Sequence, residues 1–181
     1  MSTITETITP GTYVADPVHS QVGFEVAYMV GTFRGTFSPF EATLEVGDDG
    51  GATLAGKTGV AGVKVQDENL TAHLQSPEFF DAERTPEISF SSRELRIDGP
   101  SLHVDGEITI KGESRPLHLD GTVGQVGEDP WGNRRVGITL SGSVDRTAFG
   151  LDWNNPLPSG EPALANEVTL SAELSLVKAQ A

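Results

Sequence analysis

Asp16, His19 and Ser20 lie within the five residues Asp16-Pro17-Val18-His19-Ser20 and hold the three residue types of a hydrolytic triad. Acyl transfer by such a set needs hydroxyl, imidazole and carboxylate to converge from separate elements, because the base must bond the nucleophile on one side and the acid on the other. Neighbours on an extended chain point to opposite faces instead. Neither a Gly-x-Ser-x-Gly elbow nor an obvious oxyanion loop accompanies them. The better reading is structural: Asp16 caps a turn and His19 leads into the first long strand. The catalytic alternative is a hydrolase or isomerase of a small apolar substrate, with His19, Ser20 and a carboxylate as its machinery.

Metal chemistry is the second candidate, since the chain has 4 His and 26 acidic residues. The spacing of His19, His73, His103 and His118 matches no His-x-x-x-His or similar ligand pair. His103 and His118 fall on the polar face of a hairpin, not directly opposite each other, and read as solvated surface histidines. No metal and no cofactor are expected. The abundant glycines, Gly31, Gly35, Gly59, Gly62 and Gly106 among them, stand in or beside strand patterns and not in a phosphate cradle, so they read as the bends of a curved sheet.

The elements that would position any site are strands. Val168, Leu170, Ala172, Leu174 and Leu176 alternate with Thr169, Ser171, Glu173 and Ser175, a period of two that buries one face. Leu102, Val104, Ile108 and Ile110 do the same; Lys111-Gly112-Glu113-Ser114 then turns the chain before Leu117, Leu119 and Val123. Similar runs surround Val22-Phe24-Val26, Ala42-Leu44-Val46, Leu54 to Val65, Ile88-Phe90 and Val136-Ile138-Leu140. Ile88 and Phe90 alternate on even numbers while Leu95 and Ile97 alternate on odd ones, so a bulge is expected between Ser91 and Glu94. The fold class is all-β: an antiparallel, lipocalin-like β-barrel of about eight strands in a single domain spanning 10–181, with 1–9 as a loose tail.

One segment breaks the pattern. His73-Leu74-Gln75-Ser76-Pro77-Glu78-Phe79-Phe80-Asp81 is helix-like and proline-punctuated, and it places two of the chain's 8 Phe side by side. Such an insertion, taken over residues 69–82, can serve as a lid over something apolar. Phe24, Val26, Phe33, Phe37 and Phe90 would point inward from their strands, as would Ile108 and Ile110. An eight-stranded barrel either fills with side chains or holds one small ligand. Many inward positions here are Val, Ala or Gly, which leaves volume.

These blocks together resemble the YceI-like, polyisoprenoid-binding family. The matching residues are Asp16-Pro17-Val18-His19-Ser20 with Val22 and Phe24; Phe33-Arg34-Gly35-Thr36-Phe37; His73-Leu74 with Ser76, Phe79-Phe80-Asp81, Pro86 and Phe90; Gly106 with Thr109-Ile110-Lys111-Gly112; Asp145-Arg146 with Phe149-Gly150; and Glu167-Val168. Six separated blocks in order make the resemblance specific. It implies a barrel whose tunnel holds a long isoprenoid chain, as in polyprenyl phosphates or isoprenoid quinones, for transport or storage and without catalysis. The tunnel would be lined by the inward residues above with Phe79, Phe80 and Phe149, and the head group would meet His19, Arg34, His73 or Arg146. The chain departs from the family pattern at Tyr28, where a His is common, and at Leu70 and Thr71, where an Arg-Asp pair is common.

The net charge of -14 repels phosphate backbones and excludes nucleic acid as a partner. Zero cysteines exclude a disulfide framework and thiol catalysis. No run approaches the ~20 apolar residues of a membrane-spanning helix, so no stable membrane insertion is expected. The first residues lack the basic and apolar regions of a secretory signal, which points to a cytoplasmic protein of bacterial type. A homodimer would require an exposed apolar patch that the sequence does not locate. The remaining alternative is a stress-response interaction module with a fully packed interior.

Overall fold

The computed structural model describes residues 8–179. Eleven strands run in order: β1 (Gly11–Ala15), β2 (Gln21–Tyr28), β3 (Gly31–Phe37), β4 (Phe40–Val46), β5 (Ala52–Gly59), β6 (Val63–Lys64), β7 (Glu87–Asp98), β8 (Ser101–Ile110), β9 (Glu113–Glu128), β10 (Arg134–Asp145) and β11 (Leu164–Lys178); helix α1 (Glu68–Gln75) lies between β6 and β7. Eight of them close a ring, β1-β4-β5-β7-β8-β9-β10-β11, sealed by β1 against β11. Closure leaves no free edge in the ring. The long β11 makes this possible by serving two partners: its C-terminal end pairs with β1, and its N-terminal part, from Leu164 to Glu173, pairs with β2. Strands β2, β3 and β6 continue the sheet from that part of β11.

Period-two burial is strict along β8, where Leu102, Val104, Gly106, Ile108 and Ile110 are buried and every intervening residue is not. The expected register change is present as a bulge between Ser92 and Glu94. The β8–β9 turn is tighter than the sequence suggested: Ile110 pairs with Glu113, and only Lys111 and Gly112, at φ 53° and 78°, make the reversal. Two successive positive φ values give a type I′ turn, whose twist matches that of the flanking strands.

The interior has two halves. At one end Tyr13, Leu44, Leu102, Val104, Val136 and Leu176 are completely buried and form a packed plug. Toward the other end, the inward-facing Phe90, Val168, Leu170 and Ala172 remain only half-buried, although their strands are paired on both sides. Inward residues left partly open mean a hollow and not a filled core. Ile8 is completely buried, so the loose tail expected over 1–9 does not extend to Ile8; residues 1–7 lie outside the described residues. No described helix is long and apolar enough to cross a membrane.

Candidate ligand cavity

The hollow half is a cavity of about 540 Å³, within the roughly 300–1,000 Å³ typical of small-molecule sites. Its existence removes the reading of a fully packed interior. All the apolar residues named from the sequence line it. Phe24, Val26, Phe33 and Phe37 reach it from β2 and β3; Phe90, Ile108 and Ile110 reach it from β7 and β8; Phe79, Phe80 and Phe149 reach it from the segments over the mouth. The rings are in contact: Phe24 lies 6.0 Å from Phe33 and 5.7 Å from Phe37, and Phe37 meets Phe80 edge-on at 5.8 Å. Such pairs exceed their area burial by about 0.5–1.5 kcal/mol.

The covering segment is held firmly. Asp67 caps α1 by accepting from the Asn69 and Leu70 amides, and the helix stops at Ser76, whose amide and hydroxyl both donate to the His73 carbonyl. The chain then folds back, with the Phe80 amide donating to the Leu74 carbonyl and the Ala82 amide to that of Gln75. Phe79 and Phe80 therefore sit in the turn after the helix. From the β8–β9 turn, Lys111 Nζ donates to the Pro77 carbonyl at 2.8 Å.

At the mouth the His73 ring stands edge-on to Phe79 and to Trp153, both at 4.9 Å, while Phe79 and Trp153 are 5.4 Å apart. His73 Nε2 pairs with Glu78 Oε2 at 2.5 Å. Trp153 was not anticipated; the one available signal is a bulky aromatic isolated among Asp152, Asn154 and Asn155. Leu140, Val144, Leu164, Val168 and Leu170 also line the cavity, and their alternation is the same as that of any packed core.

Three nominated head-group residues do not serve as free donors to the cavity. Arg34 lies outside it, on the face of β3 where its Nε meets Glu25 at 3.1 Å. His19 also lies outside, paired with Asp16 at 2.7 Å. Arg146 does line the cavity and is 4% exposed, but every donor is taken. Its Nε donates to the Ala165 carbonyl at 2.8 Å, Nη1 to the carbonyls of Leu151 and Trp153, and Nη2 to the Leu164 carbonyl and the Asn166 side chain. A guanidinium has five N–H groups, so none is left for a ligand. Burial pulls its pKa below the ordinary guanidinium value, against the through-space pull of Asp145 and Asp152. Arg146 is a clamp that fixes the loop between β10 and β11 over the mouth.

The Asp16–Ser20 stretch assembles no triad. The Asp16 side chain accepts from the Val18 amide, as its turn-capping role requires. Ser20 Oγ accepts from the Ser175 amide at 2.9 Å and makes no hydrogen bond to His19. His19 and the Val18 amide, with Arg135 at 3.0 Å, lower the Asp16 pKa from 3.8 to about 2. Arg135 also holds Asp129 at 2.8 Å, so one guanidinium joins the β9–β10 loop to the β1–β2 turn.

The chain is thus an antiparallel barrel, covered at one end by a lid segment, with a hollow, apolar half. The YceI-like domain model matches residues 13–176, and the chain belongs to that family. A UPF0312 protein of Staphylococcus epidermidis is 30% identical over 168 residues, covering 89% of this chain and 95% of the relative. Among solved structures, Burkholderia cenocepacia BcnA superposes with a TM-score of 0.77 at 21% identity, covering 91% of this chain and 99% of BcnA. A polyisoprenoid binding domain from Saccharophagus degradans, implicated in plant cell wall breakdown, gives 0.64 at 11% identity, covering 92% and 98%.

Proposed function

We propose that the cavity binds the tail of an isoprenoid lipid with an uncharged head group, such as an isoprenoid quinone, and that the protein carries or stores this lipid without chemically altering it. The observation that carries the reading is an apolar hollow of about 540 Å³ under an aromatic lid. Membership in the YceI-like family and the fold shared with a polyisoprenoid binding domain support it. Taking the roughly 30 Å³ that one water-sized group occupies in a liquid, a cavity of about 540 Å³ takes about 18 such groups, between three and four isoprene units. At about 0.8 kcal/mol for each methylene-sized unit, that tail supplies about 14 kcal/mol before the cost of ordering it.

The preference for an uncharged head follows from the basic side chains of the lining, which are Lys57, His73 and Arg146. Lys57 faces Glu41 at 3.6 Å, His73 faces Glu78, and Arg146 is saturated. A phosphate at the mouth would have to displace Glu78 from His73 or backbone carbonyls from Arg146, whereas Lys57, 54% exposed, sits at the solvent-facing rim.

Trp153 lines the cavity while Trp131 is 80% exposed, so emission from a Trp131→Phe protein reports on the site. A quinone with four isoprene units is expected to quench it saturably. Geranylgeraniol is expected to compete as well as, or better than, geranylgeranyl pyrophosphate. Absence of saturable quenching would refute the site; a pyrophosphate that competes tenfold more tightly would refute the uncharged head.

A further inference from the structure

The outer face of the β8–β9 hairpin carries four side chains that the lipid cavity does not use. The register sets His103 opposite Asp120 and Asp105 opposite His118, so two histidines and two aspartates form a two-by-two grid on adjacent strands. His103 and His118 are surface side chains and not directly opposite each other, as the sequence suggested, but each is paired with an aspartate across the hairpin. Their rings stack 6.3 Å apart at 16°. Asp120 Oδ1 lies between them, 2.6 Å from His103 Nδ1 and 2.7 Å from His118 Nε2.

We propose that His103, His118 and Asp120 form a site for one first-row divalent cation of the zinc type, with Asp105 as a positioning residue. One ligand atom from each of the three lies within 4.8 Å of the other two, so small side-chain rotations would bring all three onto a common ion. Two imidazole nitrogens and a carboxylate suit zinc and its borderline neighbours, and three protein ligands leave a fourth position for water.

Asp105 supplies an argument independent of that proximity. Its Oδ1 is 2.6 Å from His118 Nδ1. With Nδ1–H given to this carboxylate, the other nitrogen, Nε2, which donates to Asp120 Oδ1 at 2.7 Å, is the one a cation would take in exchange for its proton, and a carboxylate on the far ring nitrogen is how metal-bound histidines are ordinarily oriented. Arg96 on β7 pairs in register with His103 and brings its guanidinium to 3.9 Å from Asp105. The three ligands are 36%, 47% and 59% exposed for His103, His118 and Asp120, so an ion arrives directly from solvent, favoured by a chain of net charge -14.

The test is calorimetric titration of tag-free protein with zinc chloride at about pH 8. One saturable ion per chain is expected, unchanged in His19→Gln and weakened at least tenfold in His118→Gln and in Asp120→Asn. Asp105→Asn is expected to weaken binding roughly 10- to 100-fold and to shift the visible bands of the cobalt-loaded protein, which a purely structural Asp105 would leave in place. All four side chains lie outside the core, so circular dichroism can verify that each variant is folded. No saturable binding by the parent protein, or unchanged binding in a folded His118→Gln/Asp120→Asn double variant, would overturn the proposal.

Discussion

Replacing Arg146 separates a structural clamp from a head-group ligand. Its five N–H groups meet four backbone carbonyls and the Asn166 side chain, and the residue is 4% exposed. Each hydrogen bond from a charged donor contributes about 1.5–3 kcal/mol, and much of that gross sum is cancelled by the cost of burying the guanidinium. Truncation removes the donor but leaves the Leu151, Trp153, Leu164 and Ala165 carbonyls in a site built around it. The net loss for Arg146→Ala is therefore about 3–5 kcal/mol, the range found when one member of a buried charged network is deleted. For a domain of this size that lowers Tm by roughly 6–20 °C. Arg146→Lys, with three donors and no planar fork, should lie between the two. Urea unfolding followed by circular dichroism reads the effect. A loss below about 1 kcal/mol for Arg146→Ala would refute the clamp, all the more if affinity for anionic prenyl lipids fell at unchanged stability.

Three further outcomes follow from particular contacts. A side-chain carbon at Gly121 would sit 1.6 Å from the Thr139 carbonyl oxygen on β10, so Gly121→Ala should cost about 3 kcal/mol or more, measured by thermal unfolding. Asp16 and Asp129 both have pKa values lowered from 3.8 to about 2, mainly by the His19 contact for Asp16 and by Arg135 for Asp129. A lowered carboxylate pKa adds stability that is complete above the unfolded value and lost as pH falls toward the folded one; stability should therefore drop between about pH 4 and 2, and Asp129→Asn should make that drop shallower in urea midpoints. Phe79→Ala/Phe80→Ala opens the mouth without touching the plug at the other end, so retention of a bound prenyl lipid should fall while the barrel stays folded by circular dichroism.

The strands were legible because each inward position repeats every two residues, and Ile88, Phe90, Leu95 and Ile97 even revealed the bulge between Ser92 and Glu94. The same pattern could not reveal where the core ends and the cavity begins. Leu102 and Ile108 occupy equivalent positions on β8, yet one belongs to the plug and the other to the cavity wall; the difference lies in what faces them across the barrel. Arg146 was misleading for a related reason. Four of its five partners are the backbone oxygens of Leu151, Trp153, Leu164 and Ala165, and carbonyls have no side-chain signature in a sequence. The His103–Asp120 pairing was hidden by the turn: a loop of two residues instead of four shifts which side chains face each other.

The central claim is that the hollow half of the barrel holds an isoprenoid chain. Native mass spectrometry of the protein purified from the cells that make it, followed by solvent extraction of whatever is released, addresses that claim most directly. The expected result is a population carrying one prenyl lipid per chain, with an uncharged head identified in the extract. A protein of apo mass alone that also fails to take up added prenyl quinones and prenyl alcohols would contradict it.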